Sequence, residues 1–259
     1  MNGYVENGYF VIKKFFDHDE IQSLREVLED FHASWKQKNA CFYAEKAINS
    51  AYLTGTEHLD DSKRQVLFEF IGSSKLMDIA SSIMKKQPTF MNTQLFFNPV
   101  NKSQKNYWHR DPQYHLSLEE QKEALTGAEV IHFRIPLVDE PGIELIPGSH
   151  TRWDSCEELD VRLERNGRKN YEALSAGQCI ELQAGDLIVF SANMIHRGLY
   201  GMDRFALDIL FCDPEPHLVK FVSDNCLPNE EIMKRLENGD AIGSAIALKA
   251  KILMTNKKA

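Results

Sequence analysis

No apolar stretch in this sequence approaches the roughly 18 uninterrupted residues that a membrane-spanning helix needs, so no membrane partner is expected. A leader of signal-peptide build is also missing. The opening MNGYVENGYFVIKKFF holds one short apolar stretch, and Lys13 and Lys14 break it. Basic charge is in deficit: 30 Lys plus Arg stand against 38 Asp plus Glu, a net charge of −8. Such a chain is repelled at long range by nucleic acid and by anionic lipid, and neither is expected as its main partner. Cysteine is sparse and odd in number. Cys41, Cys156, Cys179, Cys212 and Cys226 are scattered with no CxxC pair, which excludes a disulfide framework and suits the reduced thiols of a cytoplasmic protein. Internal repeats and low-complexity tracts are absent too, which excludes solenoids and fibres.

What remains is a globular balance, 43% hydrophobic and 26% charged over 259 residues. It fits a single domain over residues 1–259. Gly8 to Ile12 is predicted as a short strand. Asp17 with Glu20 three residues later forms a capping-box pattern, and Ile21, Leu24, Leu28 and Phe31 follow at helical spacing. A second helix is predicted over Lys63 to Lys85, so that residues 15–87 form a helical N-terminal part. After Pro88 the character changes. FMNTQLFFN, AEVIHFRIPLV, IELIPGS, QCIELQ, DLIVFSA and RFALDILF are short, β-branched or aromatic, and bounded by Gly, Pro, Asn or Asp. Two inserts interrupt them, a helical pattern over Ser117 to Thr126 and a charged stretch from Arg152 to Leu174. Helix returns in a C-terminal tail over residues 228–255, whose apolar segment 241–254 suits packing within the chain or between subunits. Strands that do not alternate with helices argue against a parallel α/β fold. The expectation is a mainly β protein with a helical shell (α+β), its core at about 88–213 a double-stranded β-helix, the jelly roll of cupin-like proteins.

Chemistry concentrates in Tyr107-Trp108-His109-Arg110-Asp111-Pro112. On an extended chain residues i and i+2 point the same way, so His109 and Asp111 can aim at one point. Far downstream, the apolar strand after Gly185-Asp186 leads to His196. Two histidines and one carboxylate form the facial triad that holds Fe(II) and leaves three positions open. Nine histidines make such a pattern easy to meet by coincidence, and ordinary core or surface histidines fit it equally well. Three further features favour the metal. IELIPGSH ends in a glycine-dependent turn between the two halves. Gly185-Asp186 opens the strand that leads to His196. Arg204 lies on RFALDILF, where a buried guanidinium is costly unless an anion meets it. Its planar fork suits a carboxylate bound end-on, the distal carboxylate of 2-oxoglutarate.

On NGYFVIKKFF, WHRD, IELIPGSH, AGDLIVF and HRGLYGMDR, in this order, the chain resembles the phytanoyl-CoA dioxygenase-like family of Fe(II)/2-oxoglutarate-dependent oxygenases, from about Gly8 to Pro214. The resemblance implies iron held by His109, Asp111 and His196, with Arg204 anchoring 2-oxoglutarate. It also implies cosubstrate contacts at Gln94 and Asn98, which share one strand face. Where relatives often carry a Trp and a Ser, this chain has Arg134 and Gly198. His132 and Arg134 alternate on one face of VIHFRIPLV, where they could bind an anionic substrate or the cosubstrate, or equally form a polar network satisfied within the barrel. The implied reaction uses Fe(II), 2-oxoglutarate and O2 to hydroxylate an unactivated C–H of a small-molecule or carrier-bound metabolite, releasing succinate and CO2. The inserts 112–127 and 152–176, with 41–62, are placed to cover the substrate. A cupin-type metal enzyme without 2-oxoglutarate and a catalytically silent binding module are the alternatives. The first requires Arg204 to point away from the metal.

Overall fold

A period of two along each central strand divides the molecule into a helical side and a site side. The computed structural model describes residues 2–256. In chain order the elements are α1 (Asn2–Asn7), β1 (Tyr9–Ile12), α2 (His18–Lys38), α3 (Ala40–Glu45), β2 (Asn49–Ala51), α4 (Asp61–Ile71), α5 (Ser74–Ile83) and β3 (Thr89–Phe97). There follow α6 (Leu118–Ala124), β4 (Val130–Pro136), β5 (Glu140–Leu145), α7 (Cys156–Arg162), β6 (Gln178–Leu182), β7 (Leu187–Ser191), β8 (His196–Gly198) and β9 (Phe205–Cys212). Three helices close the chain: α8 (Pro216–Val219), α9 (Glu230–Met233) and α10 (Asp240–Asn256). No helix among the described residues is long and apolar enough to cross a membrane.

Two antiparallel sheets form, a six-stranded one in the order β1-β7-β4-β9-β3-β2 and a three-stranded one in the order β6-β5-β8. The larger sheet thus recruits Tyr9–Ile12 and Asn49–Ala51 from outside the expected 88–213 core. Ile131, Phe133 and Ile135 of β4, Leu207, Ile209 and Phe211 of β9, and Leu95 and Phe97 of β3 face the helices. There they pack against Leu24, Leu28 and Phe31 of α2, Leu67 and Phe68 of α4, and Leu76 of α5. Each of these buried side chains contributes about 2 kcal/mol of transfer free energy, so this layer is the main source of stability. The alternate residues of the same strands, among them His132, Arg134 and Asp208, face the other way. Ile188 and Phe190 do so too, meeting Ile143, Leu145 and Leu182 of the smaller sheet.

The capping box forms: Asp17 Oδ1 accepts from the Glu20 N–H at 2.9 Å, and Glu20 Oε2 accepts from the Asp17 N–H at 2.8 Å. The helix expected over 63–85 is two. α4 ends at Gly72, and Ser73 caps α5 by accepting from the Leu76 N–H at 3.4 Å. Gly142 has φ +85°, and an added Cβ there would strike the Ile180 carbonyl oxygen. This glycine marks an irregularity in β5 between Glu140 and Ile143 that sends the Glu140 side chain inward.

Candidate metal centre

His109 and His196 lie 87 positions apart but directly opposite each other in an antiparallel bridge. The His109 N–H donates to the His196 carbonyl at 3.0 Å, and the His196 N–H returns a bond to the His109 carbonyl at 2.9 Å. Residues that exchange both bonds present their side chains to one face. The ring centroids are 4.3 Å apart. Asp111, two residues past His109, opens a short 3-10 turn with Pro112 and adds its carboxylate to that face. Its Oδ1 lies 3.5 Å from His109 Nε2 and 3.7 Å from His196 Nε2. One ligand atom from each of the three residues falls within 4.8 Å of the others, a spacing a single ion could bridge.

The tautomers follow from the neighbours. His109 Nδ1 is 3.1 Å from the Tyr107 carbonyl oxygen and His196 Nδ1 is 3.0 Å from that of Met194. A carbonyl only accepts, so each Nδ1 carries the proton and each Nε2 offers a lone pair to the centre. Burial lowers His196, with help from His109, to about 3, and burial also lowers His109 despite Asp111. Both rings are therefore neutral at physiological pH. Burial alone would raise the Asp111 carboxyl, but His132, His196 and His109 overcome it and hold it well below the usual carboxylate range. Two neutral imidazoles and a carboxylate are the donor set that an octahedral ferrous ion takes on one face.

The sequence motifs around the centre hold it in place. Gly148 of the PGSH turn has φ +73°, the left-handed conformation that glycine adopts freely. The turn aims the Ser149 hydroxyl at the Ile195 N–H, 2.9 Å away and one residue before His196. Arg110 lies between the two ligands of its own segment. It donates to the carbonyls of Ser149 at 2.7 Å and Asn193, and to Asp154 at 2.9 Å. The inserts are clamped together here as well, since Arg162 of α7 reaches Asp154, Gln113 and Gln121. Asp186 accepts from the N–H groups of Lys14 at 2.9 Å and Gln183 at 2.8 Å, fastening the end of β1 to the start of β7.

Arg204 is 3% exposed, and no hydrogen bond among the described residues involves its guanidinium. Its Nε is buried without a hydrogen-bond partner, the nearest carboxylate oxygen being Glu140 Oε2 at 3.7 Å. The group lies over the rings of Phe96 at 5.2 Å and Tyr200 at 5.6 Å and against the backbone of Gly198. Burial and then Arg134 lower it to about 10, which leaves it a cation. It is thus a buried positive fork that, among the described residues, has one long ion pair to Glu140 and no hydrogen bond. Gln94, level with Asp208 across β3 and β9, shares a strand face with Phe96, the ring beneath Arg204.

Three expectations need correction or restriction. His132 and Arg134 face the interior, and of the readings open for them the internal polar network is the one their hydrogen bonds match. His132 Nε2 is 2.6 Å from Asp111 Oδ2 and its Nδ1 is 3.3 Å from Asp208 Oδ2. Arg134 donates to Glu140 at 2.8 and 3.0 Å and to Asp208 at 3.1 Å. Burial opposes charge on His132, but Asp111 and Asp208 on either side lift it to about 9. Asn98 is spent on the loop after β8, where its Nδ2 donates to the Met202 carbonyl at 2.6 Å and its Oδ1 accepts from the Gly201 N–H at 3.0 Å. Sequence reasoning passed over Asp208 and Glu140, though a lone aspartate in FALDILF was a legible signal. It also passed over Tyr107 and Tyr114, whose hydroxyls are 2.8 Å apart and whose rings flank His109 at 5.3 and 5.6 Å.

A family model described as phytanoyl-CoA dioxygenase matches residues 4–199. The chain belongs to this family. It is therefore a 2-oxoglutarate-dependent non-haem iron oxygenase, a class that works with Fe(II), 2-oxoglutarate and O2. Solved structures share the jelly-roll fold. EctD from S. alaskensis, crystallised with 2-oxoglutarate and 5-hydroxyectoine, is 16% identical with a TM-score of 0.61, over 82% of this chain and 74% of that one. AviO1 from Streptomyces viridochromogenes Tue57 is 16% identical with a TM-score of 0.57, over 82% of this chain and 93% of that one. The 2-oxoglutarate-dependent carbocyclase SnoK from nogalamycin biosynthesis is 15% identical with a TM-score of 0.54, over 83% of each chain. No curated protein sequence matches the chain.

Proposed function

We propose that His109, Asp111 and His196 hold Fe(II), that Arg204 binds the distal carboxylate of 2-oxoglutarate with Gln94 beside it, and that the enzyme hydroxylates an unactivated C–H of a small-molecule or carrier-bound metabolite. When bound, the iron with 2-oxoglutarate and O2 supplies the oxidising power; one oxygen atom enters the product alcohol and the other enters succinate, with CO2 released. The chain's own residues do the rest. The Tyr107 and Met194 carbonyls fix the two imidazoles with Nε2 inward. Arg204, seated over Phe96 and Tyr200, offers a dry cationic fork whose two parallel bonds would orient the cosubstrate. Asp111 fills the carboxylate position, so hydroxylation is favoured over halogen transfer, which needs that position free.

The observation that carries the proposal is the pairing of His109 with His196 beside Asp111, in a chain that also buries the Arg204 guanidinium without a hydrogen bond among the described residues. That EctD was crystallised with a small hydroxylated metabolite supports the substrate class. We take residues 1–259 as one catalytic domain acting in the cytoplasm. Anaerobic titration with Fe(II) and 2-oxoglutarate tests the proposal. A weak visible charge-transfer band is expected, lost in His109→Ala and diminished in Arg204→Ala. A folded wild-type protein that gives no band refutes it.

A further inference from the structure

Resting on the assignment of Asp111 as a metal ligand, we propose that His132 is a positioning residue for that centre: its Nε2–H holds Oδ2 of Asp111, so that Oδ1 alone serves the ion. The two oxygens of Asp111 have divided surroundings. Oδ1 is 3.5 and 3.7 Å from the Nε2 atoms of His109 and His196, whereas Oδ2 is 2.6 Å from His132 Nε2. A carboxylate free to rotate can chelate through both oxygens and take two of an ion's six positions. With two imidazoles that leaves two positions, one fewer than a chelating keto acid and O2 together require. A donor locked onto Oδ2 keeps the third position open.

His132 is itself locked. It stands on β4 between Phe190 of β7 and Leu210 of β9, and its ring stacks on Phe190 with centroids 4.6 Å apart and planes 9° apart. Behind it Asp208 takes Nδ1 at 3.3 Å, Arg134 takes Asp208 at 3.1 Å, and Glu140 takes Arg134 at 2.8 Å. Glu140 then lies 3.7 Å from Arg204. Charges alternate along this buried row, so turning the His132 ring would leave at least two carboxylate oxygens without a donor. The row runs from the metal-facing carboxylate to the guanidinium assigned to the cosubstrate, and His132 is its first member.

The test compares two substitutions of similar size. In Gln the terminal amide nitrogen falls near the place of imidazole Nε2 and keeps the bond to Asp111; in Asn it falls near Nδ1 and keeps only the contact with Asp208. Mn(II) is the probe, its free concentration read by electron paramagnetic resonance, with thermal melting followed in parallel. His132→Gln is expected to bind Mn(II) within about threefold of wild type, and His132→Asn at least about tenfold more weakly, the usual cost of losing a partner behind a metal ligand. Equal losses in both variants, or wild-type affinity in His132→Asn, overturn the role of His132 while leaving the metal assignment intact. A wild-type protein that binds no Mn(II) overturns the metal assignment and this inference with it. Should His132→Asn fail to fold, a crystal structure of the wild-type protein with Mn(II) decides. Coordination through Oδ1 with Oδ2 on His132 supports the inference, and chelation through both oxygens overturns it.

Discussion

Gly198→Ala should cripple cosubstrate binding while leaving the fold nearly as stable as before. Gly198 lies two residues past His196 on β8 and therefore on the same strand face. A Cβ built there would fall on Arg204 Nη2, with Cζ at 3.0 Å and Nη1 at 3.3 Å. Carbon and nitrogen atoms rest at about 3.5–4.0 Å, so the guanidinium must retreat by roughly 1 Å. The atoms in the way are the far end of a flexible side chain, not backbone, and Gly198 needs no left-handed conformation. Folding therefore survives at small cost. Binding does not, because Phe96 and Tyr200 confine the guanidinium and its retreat breaks the alignment of a two-pronged carboxylate bond. Loss of one charge-assisted bond costs about 1.5–3 kcal/mol, roughly a tenfold to hundredfold weaker dissociation constant. The assay is calorimetric titration of 2-oxoglutarate into Ni(II)-loaded protein, with the melting temperature measured alongside. Wild-type affinity in Gly198→Ala would refute either the packing of Arg204 against this strand or its role as the anchor. A large fall in melting temperature with unchanged affinity would mean that the glycine serves the fold instead.

Arg204→Lys keeps the charge but loses the planar fork, so 2-oxoglutarate should bind at least about tenfold more weakly in the same titration. Asp111→Ala leaves two histidines and should abolish the Fe(II)/2-oxoglutarate band outright, while circular dichroism stays that of the wild type. Gly142→Ala combines φ +85° with a collision at the Ile180 carbonyl oxygen and should destabilise by more than about 2 kcal/mol, read as a lower urea midpoint. His32, packed among Trp35, Tyr43 and Phe97 with its Nδ1 buried and unpaired, is lowered by burial, and then by Lys36, from 6.5 to about 4. The folded chain thus binds this proton more weakly than the unfolded one. The stability His32 allows is present above pH 6.5 and falls away as the pH drops towards 4, by about 2 kcal/mol after allowance for solvent screening. His32→Leu should flatten that part of the pH–stability curve; an unchanged slope would refute the attribution.

Local patterns carried much of the fold. The capping box at Asp17, the period of two in VIHFRIP and the glycine of PGSH each state a conformation within a few residues. The His109–Asp111 spacing is likewise local, and it was enough to nominate two of the three groups. The third depended on a pairing across 87 positions that no spacing encodes, and only the adjacent Gly185-Asp186 strand hinted at it. Short elements stayed hidden for a different reason. β2 has three residues and β8 has three, too few to establish a period, although both pair with long neighbours that do. The single helix expected over 63–85 overlooked Gly72, because the apolar spacing continues across it while the backbone turns.

Polar residues on an inward face, such as His132 and Arg134, are ambiguous until their partners are known. Sequence offers a similar signal for His132, Arg134 and Arg204, a basic side chain on or next to an apolar strand. Burial of a cation costs several kcal/mol unless something compensates it, so the number of partners separates the cases. Arg134 meets two carboxylates and His132 meets two, and both are thereby accounted for within the chain. Arg204 has one carboxylate oxygen at 3.7 Å, shared with Arg134, and no hydrogen bond. Stability alone gives no reason to keep that group; replacement by an apolar residue of its size would remove the cost. A carboxylate bound there, as proposed for 2-oxoglutarate, would supply the missing hydrogen bonds and make the cost conditional, large without ligand and offset with it. Three arginines of the second insert, Arg152, Arg162 and Arg168, are engaged with Glu158, Asp154 and Glu172. What flanks His109 on that side is phenolic, Tyr107 and Tyr114, rather than ionic. The site thus holds one guanidinium with a single long ion pair and no hydrogen bond, the group proposed for the cosubstrate, and it presents hydroxyl groups and aromatic rings beside His109.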